Sequence, residues 1–180
     1  MKTLKRSILS FAVLLAMSLM ICGLRPLQAR AATKTVKKID SSYDLTSKIK
    51  KKATVVKKGT TTLKVNTTGY LKFKVPATKT YTFTLNKHTS STGSYNCGFF
   101  HILRPTKDTY TNEYHLKNLT FSTQGGKTTS TFFQSDSYTG KITTGSFLPK
   151  RTCKIKLKKG QTIYLYLSFA NKGSIRLNIK

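Results

Sequence analysis

The residues best equipped for chemistry are few. His88, His101 and His115 are the only histidines, Cys22, Cys97 and Cys153 the only cysteines, and 5 Asp and Glu stand in 180 residues. A nucleophile needs a base within hydrogen-bond reach, and the G-x-S-x-G arrangement that delivers one does not occur. Neither do H-E-x-x-H or C-x-x-C, so no zinc or redox spacing is present. Asp40 with Asp44, or Asp108 with Glu113, could contribute to a weak calcium site, but two carboxylates are few for a cation that takes six to eight oxygens. So few acids also argue against acid-pair hydrolases and two-metal sites. The expectation is a chain with no catalytic residue, no metal and no cofactor. His101 alternates with apolar neighbours and reads as a half-buried strand residue, while His88 and His115 read as lying in or beside loops.

Charge is the stronger signal. The chain carries 33 Lys and Arg against 5 Asp and Glu, for a net charge of +28. Most of the cations are Lys, a hydrated point charge, and few are Arg, whose fork suits specific phosphate or base readout. That balance fits diffuse attraction to a polyanion and no sequence-specific nucleic acid. In an exported bacterial protein the polymer would be teichoic acid, another anionic wall polymer or an acidic polysaccharide. A protein partner stays open, as does a plain solubility role for the lysines. The candidate ligand-binding cations are Lys72 and Lys74, then Lys154, Lys156, Lys158 and Lys159, with Arg176 and the lysine run at residues 48–52. A rival reading uses Tyr164 and Tyr166, with Tyr70, as an exposed platform for sugar rings.

The elements that must position these residues follow from the pattern. Lys2, Lys5 and Arg6 precede an apolar run, and Ala29-Arg30-Ala31 is an A-x-A cleavage signature, so residues 1–31 read as a secretory leader. An uncleaved anchor and a lipoprotein at Cys22 are the weaker alternatives. No later run is long and apolar enough to span a bilayer. Two cysteines then remain in an exported chain, and Cys97 with Cys153 reads as one disulfide, worth about 4 kcal/mol by chain-entropy arithmetic.

Residues 32–52 are polar and basic and read as an arm or linker, with residues 53–180 as the folded domain. Within it the apolar residues recur every second position. Leu71, Phe73 and Val75 lead to Tyr81, Phe83 and Leu85, predicting a hairpin turned at Pro76. Cys153, Ile155 and Leu157 lead likewise to Ile163, Leu165 and Leu167, and these to Ile175, Leu177 and Ile179. Hairpin pairing of the last two strands would set Leu167 opposite Ile175 and Tyr166 opposite Arg176. Residues 97–103 read as a strand ended by Arg104-Pro105, with Cys97, Phe99 and Leu103 in one phase and Cys97 inward. Residues 110–122, 128–133 and 138–144 are further candidate strands. Short strands with frequent turn signals predict an all-β, antiparallel sandwich in a single domain.

The cadence Y-x-F-x-V-P-x-x-x-x-Y-x-F-x-L near residues 70–85, followed by L-K-K-G-Q-x-x-Y-L-x-L and G-S-x-x-L-x-I near residues 157–179, resembles bacterial pre-peptidase C-terminal (PPC-like) domains. The resemblance spans residues 53–180. It implies a jelly-roll-like sandwich and a non-catalytic accessory role in binding or export. The chain departs from many such domains in lacking acidic loops, which puts a calcium site of that kind in doubt.

Overall fold

The computed structural model describes residues 31–91, 96–134 and 150–180. The expected leader, apart from Ala31, and the expected strand at residues 138–144 lie outside the described residues. In chain order the elements begin with β1 (Ala32–Val36), a short helix α1 (Ser47–Lys52), β2 (Thr54–Val56), β3 (Gly59–Val65), β4 (Thr68–Lys74) and β5 (Lys79–Ser90). Next come β6 (Cys97–Lys107), β7 (Tyr114–Asn118), β8 (Phe121–Thr123), β9 (Gly126–Thr128) and β10 (Ser130–Gln134). The last three are β11 (Lys150–Leu157), β12 (Thr162–Phe169) and β13 (Gly173–Ile179).

The strands form two sheets, as an all-β sandwich requires. The larger runs β1-β3-β13-β5-β11-β8-β9, and the smaller β10-β6-β12-β4-β2 with β7 attached to β6. Pairing is antiparallel except for β1 with β3 and β2 with β4, which are parallel. The core between the sheets takes Phe73, Phe83, Leu165 and Leu177 from the expected inward phases, and adds Leu63 and Phe100.

The three predicted hairpins are absent. β4 and β5 belong to different sheets, as do β11 and β12, and β12 and β13. The turns between them are arches that cross the core. Leu167 pairs with Gly69 and Phe100, whereas Ile175 pairs with Leu63. Tyr166 pairs with Tyr70 and His101, so it never meets Arg176, which pairs with Thr62 and Asn86. The physical reason is that alternation states which way a side chain faces, not which strand lies beside it. Two strands joined by a short turn can share an apolar layer side by side, or face each other across it. Here they face each other, and each then takes two long-range partners.

The predicted disulfide is also absent. Cys97 and Cys153 are free thiols. In β6 the inward residues are Gly98, Phe100 and Ile102, which leaves Cys97 and the 47% exposed Phe99 on the outer side. The inward phase assigned to Cys97 was therefore one residue out of step, and a one-residue slip reverses every side chain. Cys153 lies in the core from the other sheet, where burial pushes its thiol pKa up to about 12. β6 also continues through Arg104-Pro105. The Leu116 N–H donates to the Tyr43 carbonyl, away from β6, so Pro105 and Leu116 form a pair without ladder hydrogen bonds and the missing proline N–H costs nothing.

Residues 31–180 form one compact unit. Residues 32–52 are part of it and do not behave as a free arm. β1 adds to the larger sheet, and the following segment straps the outer face of the smaller one. Ile39 and Ile49 are buried there against Tyr70, Leu103, Leu116 and Tyr164. Thr46 caps α1 by accepting the Ile49 N–H at 3.2 Å. The sparse apolar residues of the strap are its anchors.

Candidate functional site

The expected cations do not gather at one place. Lys72 and Lys74 lie on the outer side of the smaller sheet, while Lys154, Lys156 and Arg176 lie on the outer face of the larger one. Lys158 and Lys159 sit in the exposed turn after β11. There the Lys158 N–H donates to the Gln161 side chain at 2.8 Å and the Lys159 N–H to Thr78 at 2.9 Å.

The outer face of the larger sheet is built row by row from register. Thr62, Arg176, Asn86 and Lys150 lie abreast. Thr60, Asn178, Thr84 and Thr152 form the next row, with Asn178 donating to the Thr60 hydroxyl at 2.5 Å. Thr82, Lys154, Ser122 and Lys127 follow, and then Thr80 with Lys156. Small hydroxyl and amide side chains keep the middle low, and cations rise around them. Alternate residues of one strand are about 7 Å apart, so Lys154 and Lys156 repel by about 0.6 kcal/mol in water.

No Asp or Glu relieves that repulsion among the described residues. Asp40, Asp44, Asp108 and Glu113 all lie in the strap or in the turn between β6 and β7, on the side of the smaller sheet. Their polar contacts are there too: Lys48 pairs with Asp40 at 3.8 Å, and the His115 ring lies 2.8 and 3.9 Å from Asp44 and Asp108. The charge imbalance read from composition is thus also a separation in space.

One end of this face is concave. A cleft of about 480 Å³ is lined by Thr35, Lys64, Thr89, Lys172 and Ser174, with the Thr89 and Ser174 hydroxyls 2.8 Å apart. The sequence reading missed Lys64 and Lys172. The alternation T-T-L-K-V at residues 61–65 carried the signal for Lys64, whereas Lys172 stands in a turn that no periodicity marks.

The tyrosine platform is not exposed. Tyr164 is 3% exposed and Tyr70 1%, both beneath the strap, and Tyr166 is half-buried with its ring 5.0 Å from that of Tyr70. Their phase is outward from the sheet, as expected, but the outer face is covered. Burial raises the pKa of Tyr70 and Tyr164.

The histidines also differ from one another. His101 is half-buried on β6, as expected, with its pKa lowered by burial while a hydrogen bond to the Asn118 side chain pulls the other way. His88, expected near a loop, is 2% exposed within β5, edge-on to Phe133 and Phe169. Burial lowers its pKa to about 4, with the Gln134 backbone pulling the other way. Among the described residues no group of three or more His, Cys, Asp or Glu is arranged to hold a metal ion.

No family model matches the chain, and no curated protein does. Solved structures similar to it include the following two. One is the pre-peptidase C-terminal domain of collagenase from Bacillus anthracis, at 14% identity and a TM-score of 0.37, covering 71% of this chain and 94% of that one. The other is CorA, a surface-associated copper-binding protein of Methylomicrobium album BG8, at 8% identity and a TM-score of 0.39, covering 71% of this chain and 98% of that one. The first belongs to the family whose strand cadence residues 69–85 and 154–180 resemble.

Proposed function

We propose that the chain is an exported, non-catalytic module that binds an anionic polymer of the cell envelope, teichoic acid or an acidic glycan, through the outer face of its larger sheet. The observation that carries this reading is a face bearing Lys127, Lys150, Lys154, Lys156 and Arg176 with no Asp or Glu among the described residues, continued at one end by the Lys64 and Lys172 cleft. A polyanion laid on such a face releases its counterions and relieves the lysine repulsion at once. Hydroxyls and amides between the cations can hydrogen-bond the polymer's own hydroxyls without selecting a sequence. Lys72 and Lys74, on the opposite side, are an auxiliary patch in this reading. No helix among the described residues is long and apolar enough to cross a membrane.

The test is a pull-down of residues 31–180 on Gram-positive walls, intact or stripped of teichoic acid, across a salt series. Retention should fall on stripping and with salt. A K154Q/K156Q/R176Q variant should lose most of it, and K72Q/K74Q much less. Salt-resistant retention, or equal losses in the two variants, would remove the sheet face as the site.

A further inference from the structure

The corner where the strap meets β7 differs from the rest of the surface. Among the described residues, Tyr43, Tyr110 and Tyr114 are three of the five exposed large apolar side chains, and all three fall at this corner. Tyr110 is 98% exposed and Tyr43 80%. Large rings left in water forgo the burial energy that a fold normally takes from them, and a cluster of them marks a contact surface. Tyr43 and Tyr110 both line one open cavity of about 690 Å³, together with Asp108, His115, Leu116 and Asn118.

Neither tyrosine is on a loose segment. Asp108 Oδ1 accepts the N–H groups of Tyr110 and Thr111 at 2.7 and 3.0 Å, and the Asp108 N–H donates to the Glu113 carbonyl at 2.8 Å. Those three bonds set the turn that carries Tyr110. On the other wall, the Tyr43 carbonyl accepts from Leu116, the Leu45 N–H donates to the Tyr114 carbonyl at 2.8 Å, and Asp44 Oδ1 lies 2.8 Å from His115 Nδ1. The two backbones are therefore fixed before any ligand arrives, which spares the ordering cost of binding.

The local charge is also unlike that of the larger sheet. Lys107 and Lys117 line the cavity, but Asp108 lines it with them and Asp44 sits on His115. This corner therefore holds carboxylates beside its lysines, which the described part of the larger sheet's outer face does not. What it offers is apolar ring planes, carboxylate acceptors and amide and ammonium donors. That combination suits a sugar ring, whose C–H face stacks on an aromatic plane while its hydroxyls take the polar groups.

We propose that this corner is a second and separate binding site, for a neutral pyranose oligosaccharide stacked on Tyr43 and Tyr110. It stands whether or not the larger sheet binds a polyanion. The site is read by titrating residues 31–180, one compact unit, with chitotetraose, cellotetraose, maltotetraose and mannotetraose, followed by calorimetry and by chemical shifts of the Tyr43 and Tyr110 rings.

At least one of the four should bind with an affinity that salt leaves unchanged. Tyr43→Ala and Tyr110→Ala should each weaken it roughly tenfold. Both side chains are exposed, so neither change threatens the fold, which a thermal melt would check. The K154Q/K156Q/R176Q variant should bind the sugar as the parent does, so loss of polyanion binding and loss of sugar binding remain distinguishable. Binding of none of the four, or binding indifferent to both tyrosine variants, would overturn the assignment.

Discussion

Cys97 and Cys153 stand in different sheets and face different ways: Cys153 lies in the core at 0% exposure, and Cys97 is on the outer side of β6. The register of β6 keeps the two cysteines apart, because Phe100 and Ile102 take the inward phase. Stability therefore rests on the core between the sheets and on the strap.

The thiols give the most direct check. A thiol reagent should titrate one cysteine in native residues 31–180, at Cys97, and two once the protein is denatured. Cys153 is slow because burial both shields it and holds its pKa near about 12. Reductant should leave the unfolding midpoint unchanged. A midpoint lowered by reductant would reinstate the bridge.

His88 should make stability depend on pH. Its folded-state pKa, about 4, lies below the ordinary 6.5, so the unfolded chain binds a proton that the folded one refuses. Stability is then full above about pH 6.5 and declines as pH falls toward 4, by roughly 3 kcal/mol at most. His101, lowered in the same direction, adds to the same window. Urea melts at neutral and acid pH should show the decline, and His88→Leu should flatten much of it. An unchanged slope in that variant would put the pH dependence elsewhere.

The strap should behave as core. Ile49 is fully buried in a six-residue helix held by the Thr46 cap. Ile49→Ala should cost about 3 kcal/mol, and the variant should bind a hydrophobic dye where Tyr70 and Tyr164 lose their cover. A free arm would give no loss, so a cost below about 0.5 kcal/mol would contradict the packing.

Polyanion binding should carry its charge count in its salt dependence. Removing Lys154, Lys156 and Arg176 should lower the slope of log affinity against log salt by roughly 2 to 3, if each neutralises one site on the polymer. Removing Lys72 and Lys74 should leave most of the slope in place. The measurement is binding of soluble teichoic acid to each variant at several salt concentrations.

Gly98 marks how tightly the smaller sheet is closed. A methyl group at this position would collide with the Ser168 carbonyl oxygen and with the Phe133 ring edge. Gly98→Ala should therefore destabilise by about 3 kcal/mol, as overpacking does, visible as a lower urea midpoint.

The sequence alone determined the class of fold and much of its interior. Period-two alternation assigned the inward residues of β4, β5, β11, β12 and β13, because a side chain's face depends only on its position in its own strand. Composition likewise set the sign and size of the charge. The tertiary structure alone decided which strands are neighbours, since a short turn can close a hairpin or arch across a core with the same pattern. That choice separated Tyr166 from Arg176, divided the lysines between two faces, and left one face without Asp or Glu among the described residues. It also decided burial: the strap covers Tyr164, so an outward phase did not mean exposure, while Tyr43 stands exposed on the strap and Tyr110 in a turn, where the pattern had placed the start of a strand over residues 110–122. Both outcomes come from contacts between residues distant in sequence, which local patterning does not encode.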